Sequence, residues 1–361
     1  MKDKTILLFY LSLFFSRFIY NFFYTTSPIL AKVYYDITDF SLVEVYLYIF
    51  SLIGTFISFF LFRRLIFRLA TFFVIISIIF IIIIKNPLLF YLSNAMAGFS
   101  FGIIIAYMLT IASFYGEKHL YLYSLVLGIS TIVQPVVQTF IMLFIGFELL
   151  FIFYLALSLV LFIYSLIQRM KDKKEIFNLK LKVNYGIITS ILITISYVTG
   201  FTVISTFLPV YLIIIIKHFS AGIAYSIFIP FFASTVLSRT LLSTIKIKNL
   251  KILSSLSIIL TVLGFTILFE QIYIIDTIAA FILGISHGII YPLASVYITR
   301  YSTANERNSY MSLYLLSREL SFSLIIFLFS FINLGTQLIV SIILNLILLL
   351  ILLFLRNVNY N

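Results

Sequence analysis

At 361 residues with a mean hydropathy of +1.20 and only 10% charged residues, the chain is too apolar to be a soluble domain, whose water-facing surface needs far more polar side chains. The absence of cysteine excludes disulfides and thiolate metal sites, and the three histidines, His119, His218 and His287, are too scattered to suggest a metal centre, so no cofactor is expected. A net charge of +12 would point to nucleic acid in a soluble protein, but here the basic residues flank apolar runs, where membrane topology accounts for them and no nucleic-acid partner is expected.

A helix crosses roughly 30 Å of hydrocarbon with about 20 mostly apolar residues. The first run, Thr5 to Ala31, is far longer than a signal-peptide core of about 7 to 15 residues, so it reads as a retained span. Val43 to Leu61, Leu69 to Ile84, Leu88 to Tyr115, Leu120 to Phe144 and Leu149 to Ile167 follow. Then comes the longest hydrophilic run, Gln168 to Asn184, with Arg169, Lys171, Lys173, Lys174, Lys180 and Lys182 against only Asp172 and Glu175. Six more spans are expected at Gly186 to Ile216, Ala221 to Ile245, Ile252 to Phe269, Ile274 to Ile298, Met311 to Ile332 and Gln337 to Leu355. The expected fold is an all-α polytopic membrane protein of twelve transmembrane helices. Its organisation is an N-terminal six-helix bundle over residues 1–168, a basic linker over 169–184 and a C-terminal six-helix bundle over 185–361.

Placing both termini in the cytoplasm puts eighteen of the 24 Lys and Arg residues there, including those of the central loop, and leaves Lys32, Lys85 and Lys217 outside and Arg17, Arg239 and Arg318 within spans. Positive charge is retained on the cytoplasmic side, so the asymmetry supports twelve spans and a multi-pass protein of the cell membrane. The halves also repeat. A shift of 186 residues lays Gly98, Gly102, Ile103, Ile104, Tyr115 and Leu127 on Gly284, Gly288, Ile289, Ile290, Tyr301 and Leu313, and a shift of 181 lays Pro28 on Pro209. Six is an even number, so the copies enter from the same side as parallel repeats.

Twelve spans, two six-helix halves and a basic central loop resemble the major facilitator superfamily of secondary transporters. The stretch GISHGIIYP, Gly284 to Pro292, is similar to that family's tenth helix. Arg239 beside Ser238, Glu319 in the eleventh span and Pro135 in the fifth resemble features of its efflux-type members. After the second span the family's glycine-rich turn is replaced by FRRLIFRL, which keeps Arg63, Arg64 and Arg68 but has neither glycine nor aspartate, and Gln134 and Gln138 stand where glycines flank the family's fifth-helix proline. The resemblance implies a midplane site lined by helices 1, 4, 5, 7, 8, 10 and 11, served by alternating access.

Ionisable side chains inside hydrocarbon are rare and costly, so each is a functional candidate. Arg17 stands twelve residues after Thr5, roughly 18 Å along the helix and too deep for easy snorkelling. With Asn21 one turn on, it forms a polar stripe that suits substrate contact, with a structural ion pair as the alternative. Arg239, nearer its helix end, suits a gate or anchor, a role Arg63, Arg64 and Arg68 would share. Arg318 and Glu319 are adjacent and point about 100° apart, so one of them is expected to pair elsewhere. Arg318 is a candidate substrate contact, and Glu319 either carries a proton or forms a fixed ion pair. His287 and Tyr291 share a helix face at i and i+4, the first a proton relay or a packed imidazole, the second a substrate contact. Gln134 and Gln138, at the same spacing, need partners in the bundle or in substrate.

These residues point to a secondary transporter for a small, anionic or polar molecule, coupled to protons and working as an exporter, in lipid and as a monomer. The rival is a transporter-like sensor or partner-binding protein without turnover. No nucleophile or metal constellation supports an enzyme.

Overall fold

A computed structural model describes residues 3–60, 64–83, 86–114, 117–167, 184–215, 220–244, 249–303 and 307–355. The helices of the first half are α1 (Asp3–Val33), α2 (Leu42–Phe60), α3 (Arg64–Ile83), α4 (Pro87–Phe114), α5 (Glu117–Phe144) and α6 (Phe147–Ile167). Those of the second are α7 (Tyr185–Thr202), α8 (Leu208–Ile215), α9 (Ala221–Tyr225), α10 (Phe228–Thr244), α11 (Leu250–Ile267), α12 (Tyr273–Arg300), α13 (Arg307–Phe329) and α14 (Leu334–Phe354). No strand occurs among the described residues. Among the described residues eleven helices are long and apolar enough to cross a membrane, and the shorter Leu42–Ser58 makes the twelfth expected span. The chain is an all-α, multi-pass membrane protein.

Local chemistry sets several boundaries. Asn184, Asn249 and Asn333 each turn a side-chain oxygen onto the third amide of the following helix, at Ile187, Ile252 and Thr336, satisfying a donor that the first turn would otherwise orphan. The seventh span is one run interrupted by a π-helical turn, Val203–Phe207, ahead of Pro209. Proline has no N–H to return to the carbonyl four residues back, and a π turn absorbs that mismatch. The eighth span breaks in an ordinary turn at Ser226, four residues before Pro230, and so divides into α9 and α10.

The chain forms two compact units, Met1–Ile176 with Leu212–Ser226, and Phe177–Tyr211 with Ile227–Asn361. The segment Leu212–Ser226, expected in the C-terminal bundle, therefore packs with the first unit. The physical reason is side-chain fit: Gly222 meets the Leu143 side chain, and Tyr225 is buried between α1 and α5. The central loop, with the expected linker and Arg63 of the second loop, lies outside the described residues.

Within each unit one helix pair approaches backbone to backbone. A Cβ added at Gly98 or Gly102 on α4 would overlap the carbonyl oxygens of Leu47 and Ser51 on α2. In the second unit a Cβ at Gly284 would overlap the carbonyl of Phe231 on α10, and one at Gly288 would stand 2.6 Å from that of Thr235. The glycines paired by the 186-residue shift thus make the same contact in both units, as small residues four apart allow.

In each half of the chain a cation on the third span holds the end of the last span, α3 on α6 and α11 on α14. Arg68 donates through Nε to the carbonyl of Ser165 at 3.2 Å and through Nη2 to that of Leu166 at 2.8 Å, while Arg64 Nη2 reaches Leu166 at 3.1 Å. In the second unit Lys251 Nζ donates to the carbonyls of Leu353 at 2.7 Å and Leu355 at 3.2 Å. Cations suit the negative ends of helices, where terminal carbonyls lack partners.

Candidate functional sites in the two units

In the first unit, α1 carries a polar stripe at mid-length. Arg17 donates through Nη2 to the Tyr24 hydroxyl at 3.1 Å, and its guanidinium carbon sits 5.3 Å and 5.1 Å from the ring centres of Tyr20 and Tyr24. Aromatic faces stabilise a cation held away from water. The Tyr24 hydroxyl in turn donates to Asn21 Oδ1. Asn21 is fully buried, and its amide nitrogen has no acceptor among the described residues. Tyr24 thus links Arg17 and Asn21, the two polar positions of this stripe.

Gln134 and Gln138 are also fully buried. Gln134 Nε2 donates to Gln138 Oε1 and, at 2.8 Å, to the Tyr154 hydroxyl, which itself donates to Gln138 Oε1 at 2.8 Å. Gln138 Nε2 donates to the Thr26 hydroxyl. Tyr225, brought in by the Leu212–Ser226 segment, donates to Gln134 Oε1 at 3.0 Å and lies 2.6 Å from the Thr25 hydroxyl. Sequence spacing left these glutamines with partners in the bundle or in substrate, and the structure gives them partners in the bundle.

The second unit gathers the remaining candidates. Arg318 and Glu319, 8% and 2% exposed, form an ion pair with each other, the arginine donating through both Nε, at 3.1 Å, and Nη2 to Glu319 Oε1. This corrects the expectation that one of them would pair elsewhere. Neighbouring Cα–Cβ bonds do diverge, but an arginine is long enough to fold its guanidinium back over the next residue. Tyr197, Tyr291 and Tyr314 lie around Arg318. Arg239 lies 4.8 Å over the Tyr291 ring, which ties the proposed gate to the same cluster. His287 is boxed by aromatic rings, with centroids 4.1 Å away at Tyr197, 5.0 Å at Phe231 and 5.1 Å at Phe201.

Arg64 and Arg68 stand in the first two turns of α3 rather than in the preceding loop, and both hold the end of α6. Sequence reasoning missed two buried acids near helix starts, Glu44 on α2 and Asp276 on α12. Both were visible as acids a few residues inside apolar runs. It also missed Tyr154 and Tyr225, which nothing in the sequence distinguishes from the rest of its 25 tyrosines. Among the described residues no group of His, Asp and Glu could hold a metal ion.

The sequence profile of the Major Facilitator Superfamily matches residues 120–326, more than half of the chain. The chain belongs to this superfamily. Solved members of the fold share its architecture over almost the whole length. A POT family transporter in complex with 5-aminolevulinic acid superposes with a TM-score of 0.77 at 13% identity, covering 96% of each chain. A peptide transporter, POT, in complex with sulfate gives 0.75 at 13% identity, covering 96% of this chain and 94% of that one. The nucleoside transporter NupG gives 0.73 at 13% identity, covering 97% and 99%. No curated protein sequence matches this one. For this major facilitator superfamily member, identities this low speak to the fold alone.

Proposed function

We propose that this protein is a secondary transporter that moves a small anionic or polar solute across the cell membrane by alternating access, as a monomer with both termini in the cytoplasm. The observation that carries the reading is the donor pair on α1. Arg17 is held in an aromatic seat, and the amide of buried Asn21, one turn on, keeps an N–H₂ group with no acceptor among the described residues. An unsatisfied buried donor is unfavourable until an acceptor arrives. A guanidinium and an amide on one helix face together suit a planar oxyanion such as a carboxylate.

Coupling is assigned to the second unit. Glu319 accepts a proton only when Arg318 releases it, so proton uptake there and breaking of the ion pair form one step. The aromatic seat of His287 supports a packing role for that residue, with Tyr291 and Arg239 beside the coupling pair.

The test is uptake of small carboxylates and other polar solutes into proteoliposomes, with and without an imposed pH gradient. Uptake that Arg17→Ala weakens in affinity and Arg17→Lys restores only in part supports the site. If no solute moves under any gradient while purified protein stays folded, the sensor reading replaces transport.

A further inference from the structure

Asp276 is a buried acid that the transport reading leaves unused. It lies in the first turn of α12, is 1% exposed, and neither carboxylate oxygen has a hydrogen-bond donor among the described residues. An aspartate near a helix start ordinarily caps a free amide or faces water. Here the capping position is Ile272, which offers no side-chain bond, and the Asp276 amide donates to the Ile272 carbonyl at 2.8 Å.

The surrounding polar groups are already paired with one another. Gln271, in the left-handed region at φ 54°, accepts at Oε1 from the Tyr211 hydroxyl at 2.6 Å. The titratable groups at this end of α12 and of the elements packed on it are Tyr211 from α8, exposed Glu270 from the turn after α11, and Tyr273 of α12 itself. Of these, Tyr211 is a neighbour of Asp276. Among the described residues of this unit, the cations lie far off. Arg239 stacks on Tyr291, fifteen residues along α12, or about 22 Å away. Arg318 belongs to that same cluster, and Lys251 is bound at the far end of α11. Residues 216–219, with Lys217 and His218, lie outside the described residues.

A carboxylate anion in such a place loses its hydration with nothing in exchange, whereas a neutral acid fits at far lower cost. A metal ion would need several oxygen ligands, and among the described residues no group of His, Asp and Glu could hold one. We propose that Asp276 is a proton-binding site, carried as the neutral acid in this conformation and ionising only when the chain moves to expose this end of α12. It is separate from Glu319, whose charge Arg318 compensates, and it does not depend on transport being proton-driven. Conformations that bury Asp276 are favoured by acid, and where the exposed form is ionised each pH step of one shifts the balance by up to tenfold.

The test uses the purified full chain in detergent. Infrared difference spectra recorded across a pH titration should show a protonated carboxyl band in the wild type at neutral pH that Asp276→Asn removes and Glu319→Gln retains. Melting temperatures of wild type and Asp276→Asn should coincide in acid and separate as pH rises, with the wild type falling below the variant, because only the wild type is driven to ionise a buried group. Should Asp276→Asn fail to fold, Asp276→Leu serves for the infrared reading. A neutral-pH spectrum unchanged by the substitution, or a variant that keeps the wild-type dependence of melting on pH, overturns the proposal.

Discussion

Replacing Glu319 tests the ion pair directly. Arg318 and Glu319 are both buried, and the arginine places two nitrogens on one carboxylate oxygen. Removing one member of a buried pair leaves the other charge uncompensated, at a cost of about 3 to 5 kcal/mol. Glu319→Gln keeps an amide oxygen for the guanidinium and belongs at the lower end of that range. Glu319→Leu removes charge and acceptor together and belongs at the upper end. A double variant, Arg318→Met with Glu319→Leu, takes both charges out and should recover most of the loss, since apolar replacement of a whole buried pair is often neutral or stabilising. The assay is the temperature at which the folded peak disappears in size-exclusion chromatography after heating in detergent, with solute exchange measured on the same preparations. The expected order is wild type and double variant highest, then Glu319→Gln, then Glu319→Leu. Under the coupling proposal Glu319→Gln loses gradient-driven accumulation and keeps exchange. A Glu319→Gln protein that melts with the wild type refutes the ion-pair reasoning, and one that still accumulates solute against a gradient refutes the coupling role.

Three further outcomes are expected. Reporters inserted near Lys174 and near Asp36 should appear on opposite sides of the membrane, cytoplasmic and external; a shared side would break the six-span count of the first half. Gly288→Leu and Gly98→Leu should each lower folded yield, because any side chain there meets backbone of the neighbouring helix; wild-type yield and melting in both would remove the close-approach argument. Tyr225→Phe deletes the hydroxyl that serves Gln134 and Thr25 and should cost about 1 to 3 kcal/mol by leaving a buried acceptor unmatched; an unchanged melting temperature would show that the contact contributes nothing.

The spans and the glycine contacts were legible because both depend on residues along one helix: length, apolarity and small side chains four apart. The same holds for Arg17 and Asn21, one turn apart on α1. What spacing could not reveal is where a long side chain ends. Arg64 and Arg68 read as loop charges, yet they reach about 100 residues ahead to the carbonyls of α6. Arg318 folds onto its own neighbour, which the angle between adjacent positions argued against. Gln134 and Gln138 were recognised as needing partners, but Tyr154 and Tyr225 could be identified only after α6 and α9 were placed beside α5. The π turn before Pro209 leaves an uninterrupted apolar run in the sequence, so only backbone geometry shows it.

The position of Tyr225 bears on biosynthesis. The carbonyl of Gln134 is satisfied by a hydroxyl that lies 91 residues further along the chain, so at ribosomal rates of about 5 to 20 residues per second it waits roughly 5 to 20 s for its donor. During that interval the six helices of the first half have all been made, and Arg68 can already hold α6, but their polar centre is unfinished. The nascent chain therefore cannot complete its N-terminal bundle before it begins its C-terminal one, and a fragment ending in the central loop would leave the ribosome with that acceptor still open.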